Sequence, residues 1–352
     1  MSFPRIDHLS RETSALLQDV VDSRVAAGAL GNTVLNRPEW LLPDSLRTAL
    51  GQAVAPPDPA LGFRVVRGLF PDLDDVGPTP AHWSQDDPER TASFDVTLVL
   101  VAETLGAVFG WSDQQKGRLV HNILPSKGYE DKQVGASSIV PLAWHTEDGF
   151  HPERADFLLL ACVRNPDGVG SRLASIRDVE LSPADVARLR EPQLTIEPDD
   201  SYGDHDAAAM DPIGMATVWD NPDGLCVRYD PSYTRFLTDD KATIRALERL
   251  GEAFEEQGDV ISLSPGDLLI VDNDVMVHGR VSFRPRYDGS DRWLKRVLVR
   301  APRGRAAGEV HEHGFGQERV FPVGAEQLSA TGGATMSAAT DRADRDVSTT
   351  RA

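Results

Sequence analysis

The second half of the chain alternates short apolar runs with clusters of Gly, Pro and Asp. From about residue 119 onward, the apolar runs are HNILP, SIVPLAW, ADFLLLACVRN, TVW, GLCVRYD, VISL, DLLIVDN and RWLKRVLVRA. Short runs separated by turn residues are typical of the strands of a β-sandwich or barrel. The pattern therefore predicts an α+β fold that is mainly β, with most of its strands in the second half.

Apolar residues recur at helical spacing in three other places. Residues 10–27 begin with a Ser that can cap a helix, residues 93–109 form a more apolar candidate, and residues 239–256 interrupt the series of strands. A short β-branched run over residues 62–70 predicts a strand between the first two helices. These segments predict helices that flank a core of strands.

The length of 352 residues suits one large domain, because β cores with helical additions reach this size as a single unit. We expect a single domain over residues 1–324, with a helical N-terminal part to about residue 110 and a β core over about residues 111–303. Residues 325–352 are rich in Ala, Thr, Ser, Gly and Asp and have no periodic apolar face. That composition predicts a disordered tail.

The formal net charge is −19, from 36 Lys and Arg against 55 Asp and Glu. Such a field repels phosphate backbones and anionic lipid, so we expect no nucleic-acid partner. The N-terminus lacks a basic segment followed by an apolar one, and no run approaches the roughly eighteen apolar residues of a membrane span. The two cysteines, Cys162 and Cys226, lie in apolar runs. We therefore expect reduced core thiols, a cytoplasmic location and no membrane partner.

Candidate metal ligands stand at the ends of two predicted strands. His145 and Glu147 follow SIVPLAW, and side chains two residues apart in a strand point to the same side. His278 follows DLLIVDN far downstream. Two imidazoles and one carboxylate leave coordination positions open for a co-substrate and dioxygen, as in non-haem Fe(II) sites. The HxE pattern alone is a weak signal, because a histidine near a strand end is more often a hydrogen-bonded structural residue.

Arginines recur every four residues in the last predicted strand. Arg292, Arg296 and Arg300 share a strand parity in DRWLKRVLVR, and apolar residues occupy both parities around them. The simple interpretation is an edge strand with three solvent-facing arginines. The apolar neighbours favour a buried strand instead, and a buried arginine needs an anion. A co-substrate carboxylate would supply that anion through a bidentate fork.

Several longer segments carry a resemblance over roughly residues 60 to 303. They are WSDQQKGRLVHNILPSKG, LAWHTEDGFHPERADF, VRNPDGVG, PDDSY, LSPGDLLIVDN and VHGRVSFRPRYDGSDRWLKR. In these segments the chain resembles the clavaminate-synthase-like Fe(II)/2-oxoglutarate-dependent oxygenases, in particular the members that hydroxylate arginine and enduracididine in peptide antibiotic biosynthesis. The resemblance implies a double-stranded β-helix, or jelly-roll, core with flanking helices. It also implies Fe(II) as cofactor and 2-oxoglutarate and O2 as co-substrates.

The resemblance assigns the metal and co-substrate sites residue by residue. It makes His145, Glu147 and His278 the catalytic iron ligands and Arg292 the partner of the distal carboxylate of 2-oxoglutarate. Ser171 falls where relatives place a hydroxyl near that carboxylate, although the neighbouring Arg172 departs from the family pattern.

The resemblance also implies that a free amino acid, rather than a peptide, is the substrate. Arg296 corresponds to the clamp on its α-carboxylate and Gln114 to the contact with its α-amino group. Asp230 corresponds to the acid that faces a cationic side-chain terminus, although an Asp before Pro231 also suits a plain turn. Many relatives carry a second Asp two positions later, where this chain has Ser232.

The implied reaction is hydroxylation of a basic L-amino acid at Cβ or Cγ, with arginine, an arginine derivative or a lysine-like compound as substrate. Desaturation or ring closure by the same family stays open, as does a non-catalytic metal-binding protein of cupin type. His121 and Asn122 lie in a matched segment, where we interpret them as residues that hold a loop. The sequence leaves the oligomeric state open.

Overall fold

The computed structural model describes residues 6–70, 73, 75–202, 211–301, 303, 305, 306 and 308–322. The tail predicted over residues 325–352 lies outside the described residues. Within them the helices are α1 (Arg11–Ala26), α2 (Asp44–Ala53), α3 (Ala92–Glu103), α4 (Pro183–Leu189) and α5 (Lys241–Gln257). None of these helices combines the length and the apolar character needed to cross a bilayer.

The strands follow one another mainly in the second half of the chain, as the apolar runs predict. They are β1 (Ile6–His8), β2 (Phe63–Arg67), β3 (Ala107–Trp111), β4 (His121–Ile123), β5 (Leu142–His145), β6 (Phe157–Arg164), β7 (Ser171–Ser175), β8 (Leu194–Ile196), β9 (Val218–Asn221), β10 (Gly224–Val227), β11 (Thr234–Phe236), β12 (Asp259–Ile261), β13 (Leu268–Asp272), β14 (Met276–Arg280), β15 (Trp293–Arg300) and β16 (Arg319–Val320).

Two sheets organise the described part of the chain. The larger has the order β1-β2-β13-β6-β15-β3-β16, with β4 also paired to β15, and the smaller has the order β12-β7-β14-β5. Two further pairs, β8 with β11 and β9 with β10, stand apart from them. Strands from before residue 111 and after residue 303 thus extend the larger sheet at both edges. The division into domains stays a prediction.

The central strands of the larger sheet are buried on both faces. Alternate residues of β6 point to opposite sides, so that Leu159 joins an apolar cluster with α1, α2 and α3 while Leu158 joins a second cluster with the smaller sheet. In β15, Val297 and Leu298 divide between the clusters in the same way. This double burial explains the apolar residues on both parities of RWLKRVLVRA.

The predicted helices are confirmed at α1 and α5, and the third prediction is wrong at its C-terminal end. At α1, the Ser10 hydroxyl accepts a hydrogen bond from the Thr13 amide at 3.1 Å, as expected for a cap. The helix predicted over residues 93–109 stops at Glu103, and the residues after Gly106 form β3 instead. A Cβ at Gly106 would lie 2.4 Å from the Arg300 carbonyl oxygen, so the close pairing of β3 with β15 requires glycine there.

Several elements have no counterpart in the sequence prediction. Helices α2 and α4 and strands β7 and β14 are short, and their apolar signal is weak. Strand β14 matters most, because it places His278 inside a buried strand rather than in a connector after β13.

A buried lysine fixes the outer face of β15 to α3. The Nζ of Lys295, which is fully buried, lies 3.0 Å from the carboxylate of Asp95 and 3.3 Å from the Thr91 hydroxyl. Burial raises the pKa of Asp95, and the Lys295 charge opposes that rise. Removal of one partner from such a pair leaves an uncompensated buried charge.

We expect Lys295→Met to lower the free energy of unfolding by roughly 3–5 kcal/mol, because Asp95 loses its cation in the interior. Urea denaturation measures the change. The double variant Lys295→Met/Asp95→Leu removes the orphaned carboxylate and should recover most of the lost stability. Equal stability of the single variant and the wild type would contradict the structural role of this pair.

Candidate active site

Three side chains that could hold a metal ion meet at the edge of the smaller sheet. His145 on β5 and His278 on β14 are cross-strand partners, with ring centroids 4.1 Å apart. Glu147 lies on the turn after β5, and its Oε2 is 3.3 Å from the Nε2 of His278. Ligand atoms of the three residues all lie within 4.8 Å of one another. The structure thus brings together the three residues that the sequence singled out.

The donor set suits Fe(II). The Nδ1 of His145 lies 2.9 Å from the Ala143 carbonyl oxygen, which leaves its Nε2 free for a metal. Burial, followed by the nearby His278, lowers the pKa of His145 and favours the neutral ligand form. Burial alone would raise the pKa of Glu147, but Arg296 and the two histidines lower it below its usual range. Two neutral imidazoles and one carboxylate are the ligands typical of non-haem Fe(II).

The backbone of the turn that carries Glu147 is held by hydrogen bonds to residues that are distant in the sequence. Asn273, which is fully buried, accepts a hydrogen bond from the Glu147 amide at 2.9 Å and donates one to the Glu147 carbonyl oxygen at 3.0 Å. Thr146 forms two hydrogen bonds with the backbone of Tyr229, at 2.7 and 3.0 Å. Arg228 donates to the carbonyl oxygen of Gly149. The sequence analysis missed Asn273, whose only signal is a polar residue at the end of DLLIVDN.

A cavity of about 380 Å³ opens beside the three candidate ligands. All the other site residues that the sequence predicts also line this cavity, namely Gln114, Ser171, Asp230, Ser232, Arg292 and Arg296. Two further lining residues, Asp199 and Arg280, were not predicted. The cavity therefore collects the predicted residues at one place, and charge divides it into two ends.

Two buried arginines mark the first end. Arg292 donates to the Ser171 hydroxyl at 3.1 Å, and Arg280 donates to the Ser137 hydroxyl at 3.1 Å and the Val140 carbonyl oxygen at 2.9 Å. Burial lowers the pKa of Arg292 to about 10. Burial and then the charge of Arg292 lower the pKa of Arg280 to about 9. In the described part of the chain neither arginine forms an ion pair, so this end attracts an anion.

Arg296 lies between the arginine end and the metal-binding residues. It donates to the Glu147 carboxylate, to the Gln114 side-chain oxygen at 2.7 Å and to the Nδ1 of His121 at 2.6 Å. The amide nitrogen of Gln114 in turn donates to the Ser201 hydroxyl at 3.1 Å. Arg296 and Gln114 thus form one hydrogen-bonded unit in the cavity wall.

Two partly buried carboxylates mark the second end. Burial raises the pKa of Asp230 to about 6 and also raises that of Asp199. Asp230 accepts a hydrogen bond from the Ser232 amide at 3.0 Å, so this Asp also stabilises a turn, as the sequence before Pro231 suggests. No ion pair to Asp230 or Asp199 occurs among the described residues, and Ser232 is exposed at the rim. This end attracts a cation.

The segment that carries Asp199 is connected by a hydrogen bond to the turn that carries Glu147 and Asp148. Asp148, which follows Glu147, accepts hydrogen bonds from the Tyr202 hydroxyl and, at 2.7 Å, from the indole nitrogen of Trp111. Burial raises the pKa of Asp148 to about 7. Asp199 lies in the segment PDDSY, which carried part of the family resemblance and could have pointed to it.

Comparison with known proteins agrees with this geometry. Residues 92–298 match the model of the taurine catabolism dioxygenase TauD, TfdA family. The chain is 35% identical to an L-ornithine/L-arginine 3-hydroxylase of Catenulispora acidiphila over 69% of this chain and 78% of that protein. It is 37% identical to an enduracididine beta-hydroxylase of Streptomyces hygroscopicus over 68% and 76%.

A solved structure is similar over most of its length. The non-heme iron oxygenase OrfP in complex with Fe and alpha-ketoglutaric acid superposes with a TM-score of 0.71 at 34% identity, covering 84% of this chain and 94% of that one. The matched family model spans more than half of the chain and includes all three candidate ligands. The chain belongs to the TauD/TfdA family of dioxygenases.

Proposed function

We propose that this protein is an Fe(II)- and 2-oxoglutarate-dependent dioxygenase that hydroxylates a free basic L-amino acid at Cβ or Cγ. One observation carries the proposal: the candidate metal ligands lie in the wall of a cavity that is also lined by two arginines and two carboxylates without an ion pair to any described residue. Such a cavity accommodates an anionic co-substrate and a cationic side chain on either side of one metal.

In this proposal His145, Glu147 and His278 hold the iron, which supplies the oxidising chemistry when it is bound with dioxygen and 2-oxoglutarate. Arg292 binds the distal carboxylate of 2-oxoglutarate, and the Ser171 hydroxyl adds a hydrogen bond to the same group. Arg280 strengthens the positive field at this end. The opposite carboxylate is then directed toward the metal ligands, so the co-substrate has one orientation.

The amino acid substrate is held at its head and its tail. Arg296 binds the α-carboxylate, and Gln114 contacts the α-amino group from the same hydrogen-bonded unit. Asp230, with Asp199 nearby, faces the cationic terminus of the side chain. Ser232 stands where a second carboxylate would complete a fork on a guanidinium, so the site favours basic amino acids without selecting arginine as strictly. With both ends fixed, Cβ or Cγ is the carbon nearest the metal.

Relatives with known substrates support this assignment. The two similar hydroxylases act on ornithine or arginine and on enduracididine, which are all cationic amino acids. An association with peptide antibiotic biosynthesis also belongs to the proposal, because the chain is similar to the enduracididine hydroxylase. Desaturation and ring closure would use the same residues and remain alternative outcomes. A metal-binding protein without catalysis would give the arginine pair and the acidic end no ligand to bind.

Finer structural assignments also belong to the proposal. The larger and smaller sheets, which face each other across an apolar cluster, are consistent with a double-stranded β-helix core. Both cysteines are free and buried, which suits the cytoplasm that the sequence predicts.

Loss of either histidine should abolish turnover. We expect His145→Ala and His278→Ala each to weaken Fe(II) binding by more than about 100-fold, since loss of even a supporting contact costs ten- to 100-fold in metal sites. Calorimetry with Fe(II) under anaerobic conditions measures the affinity. The exposed residue His311 offers a control, and His311→Ala should bind the metal like the wild type. Unchanged binding in a ligand variant would exclude that residue from the metal site.

The requirement for 2-oxoglutarate tests Arg292. Arg292→Ala leaves the distal carboxylate without its cation in a buried site, which costs on the order of 1–3 kcal/mol, so the KM for 2-oxoglutarate should rise about tenfold or more. Arg172 on β7 is the control, because it stacks on Trp144 at 4.0 Å and pairs with Glu255 instead of lining the cavity. Arg172→Ala should leave this KM unchanged. Equal KM values for Arg292→Ala and the wild type would mean that another cation binds the co-substrate.

The acidic end predicts both substrate charge and pH dependence. Asp230→Asn keeps the turn but removes the charge. It should weaken the binding of arginine, lysine and enduracididine by roughly 2–4 kcal/mol, while the binding of asparagine should change little. Because the pKa of Asp230 is about 6, wild-type affinity for basic amino acids should rise as the pH rises through that value. The Asn variant should lack this rise.

Product formation from each amino acid, measured by mass spectrometry between about pH 5 and 8, gives both results. Asp220→Asn, at an exposed ion pair with Arg190, is the control. Ser232→Asp should strengthen the binding of arginine more than that of lysine or enduracididine, because a second carboxylate matches a planar guanidinium. An unchanged ranking in Asp230→Asn would contradict a cationic substrate and leave the metal site unaffected.

A further inference from the structure

Arg296 is held in place partly by a histidine that the sequence analysis interpreted as a loop residue. His121 on β4 is the cross-strand partner of Arg296 on β15, and its ring is 1% exposed. Its Nε2 lies 2.9 Å from the Arg118 carbonyl oxygen, and its Nδ1 lies 2.6 Å from the Nη2 of Arg296. The ring therefore spans the space between a backbone carbonyl and the guanidinium.

These two contacts define the protonation of the ring. A carbonyl oxygen can only accept a hydrogen bond, so the proton lies on Nε2. A guanidinium can only donate, so Nδ1 must present a lone pair, and the imidazole is neutral. Burial, and then the positive charge of Arg296, lowers the pKa of His121 to about 3 and agrees with this assignment.

The loop around His121 is held by other side chains. Gln115 forms hydrogen bonds with the amide and the carbonyl oxygen of Asn122 at 2.9 and 3.0 Å. The Asn122 side chain accepts from the indole nitrogen of Trp293 at 2.9 Å. The Asn32 side chain accepts hydrogen bonds from the amides of Leu119 and Val120, which directly precede His121. The segment thus has several anchors that do not use the His121 ring.

We propose that His121 is a positioning residue that orients Arg296 toward the α-carboxylate of the amino acid substrate. The inference rests on the proposed role of Arg296. An arginine side chain has four rotatable bonds, and here its Nη1 and Nη2 are engaged by Glu147, Gln114 and His121 while its Nε has no partner among the described residues. A neutral, rigid acceptor at Nη2 fixes the plane of the guanidinium without neutralising its charge.

Arg296 already pairs with the Glu147 carboxylate, and a carboxylate in the place of His121 would add a second ion pair that competes with the substrate. A protonated imidazole would repel the guanidinium. A neutral histidine avoids both effects, because its Nδ1 accepts a hydrogen bond and its Nε2 is fixed to a carbonyl oxygen of the same chain segment.

Three variants separate positioning of Arg296 from anchoring of the loop. His121→Leu fills similar space without an acceptor. His121→Asn restores a neutral acceptor near the place of Nδ1. Asn32→Ala removes an anchor of residues 119 and 120 and has no contact with Arg296. Each is assayed with the amino acid that the panel above turns over fastest and with its decarboxylated amine, which lacks the group that Arg296 binds.

We expect His121→Leu to raise the KM for the amino acid about tenfold and to change binding of the amine, measured by calorimetry, less than about twofold, because only the carboxylate contact is misaligned. The KM for 2-oxoglutarate should stay unchanged, and more succinate should form per hydroxylated product. His121→Asn should recover most of the affinity for the amino acid. Asn32→Ala should lower the melting temperature without shifting the ratio of amino acid to amine affinity.

If His121→Leu weakened the binding of the amino acid and of its amine equally, the inference would be overturned in favour of a loop anchor. The same holds if Asn32→Ala changed the ratio of the two affinities as His121→Leu does. Loss of a pH-dependent limb of kcat/KM near pH 6–7 in His121→Asn would overturn it in favour of a titrating group. Arg296→Gln distinguishes the underlying proposal: if it leaves the amino acid KM unchanged, the proposed role of Arg296 fails. If Arg296→Gln raises the KM and His121→Leu does not, only the role of His121 fails.

Discussion

The active-site region depends on how strand β15 accommodates buried cations. Lys295 points to the helical layer and meets Asp95, while Arg292 and Arg296 point into the cavity. Charges in the interior require partners, and the protein itself supplies a carboxylate for Lys295 and for Arg296. Arg292, by contrast, has one hydroxyl partner and no carboxylate partner within the described part of the chain. The same strand is therefore stabilised by an internal ion pair and left incomplete where ligands are to bind.

The turn that carries Glu147 is held by hydrogen bonds within the protein. Asn273 and Arg228 bind its backbone, and Thr146 forms hydrogen bonds with the backbone of Tyr229. In the proposed function, a turn held in this way would present its ligands with little reorganisation when a metal binds. Asp148 extends the arrangement to Tyr202, and through it the segment that carries Asp199 is connected to the metal-binding residues.

Sequence patterns located most of these residues because the relevant signals are local. HTE after a strand, arginines at a four-residue interval and short apolar runs are all readable from neighbouring positions, and the family resemblance added Gln114, Ser171 and Asp230. Residues that act across the fold were missed or interpreted more simply. Asn273 binds the backbone of Glu147, which is distant in sequence, and His121 meets Arg296 only because β4 pairs with β15. The helix prediction over 93–109 was wrong at its C-terminal end for the same reason, since Gly106 allows β3 to approach Arg300.

The charge distribution inside the cavity supports the proposed substrate preference more directly than the overall charge of the chain does. A net charge of −19 attracts any cation to the surface but does not orient it. In the proposed function, orientation comes from charges of opposite sign in one cavity, because Arg296 and Asp230 both line it. A neutral amino acid would leave the Asp230 carboxylate desolvated and without an ion-pair partner among the described residues, whereas Arg296 already pairs with Glu147. The cost of the unpaired carboxylate disfavours neutral amino acids, so in the proposed function selectivity arises from the group that a wrong substrate fails to neutralise.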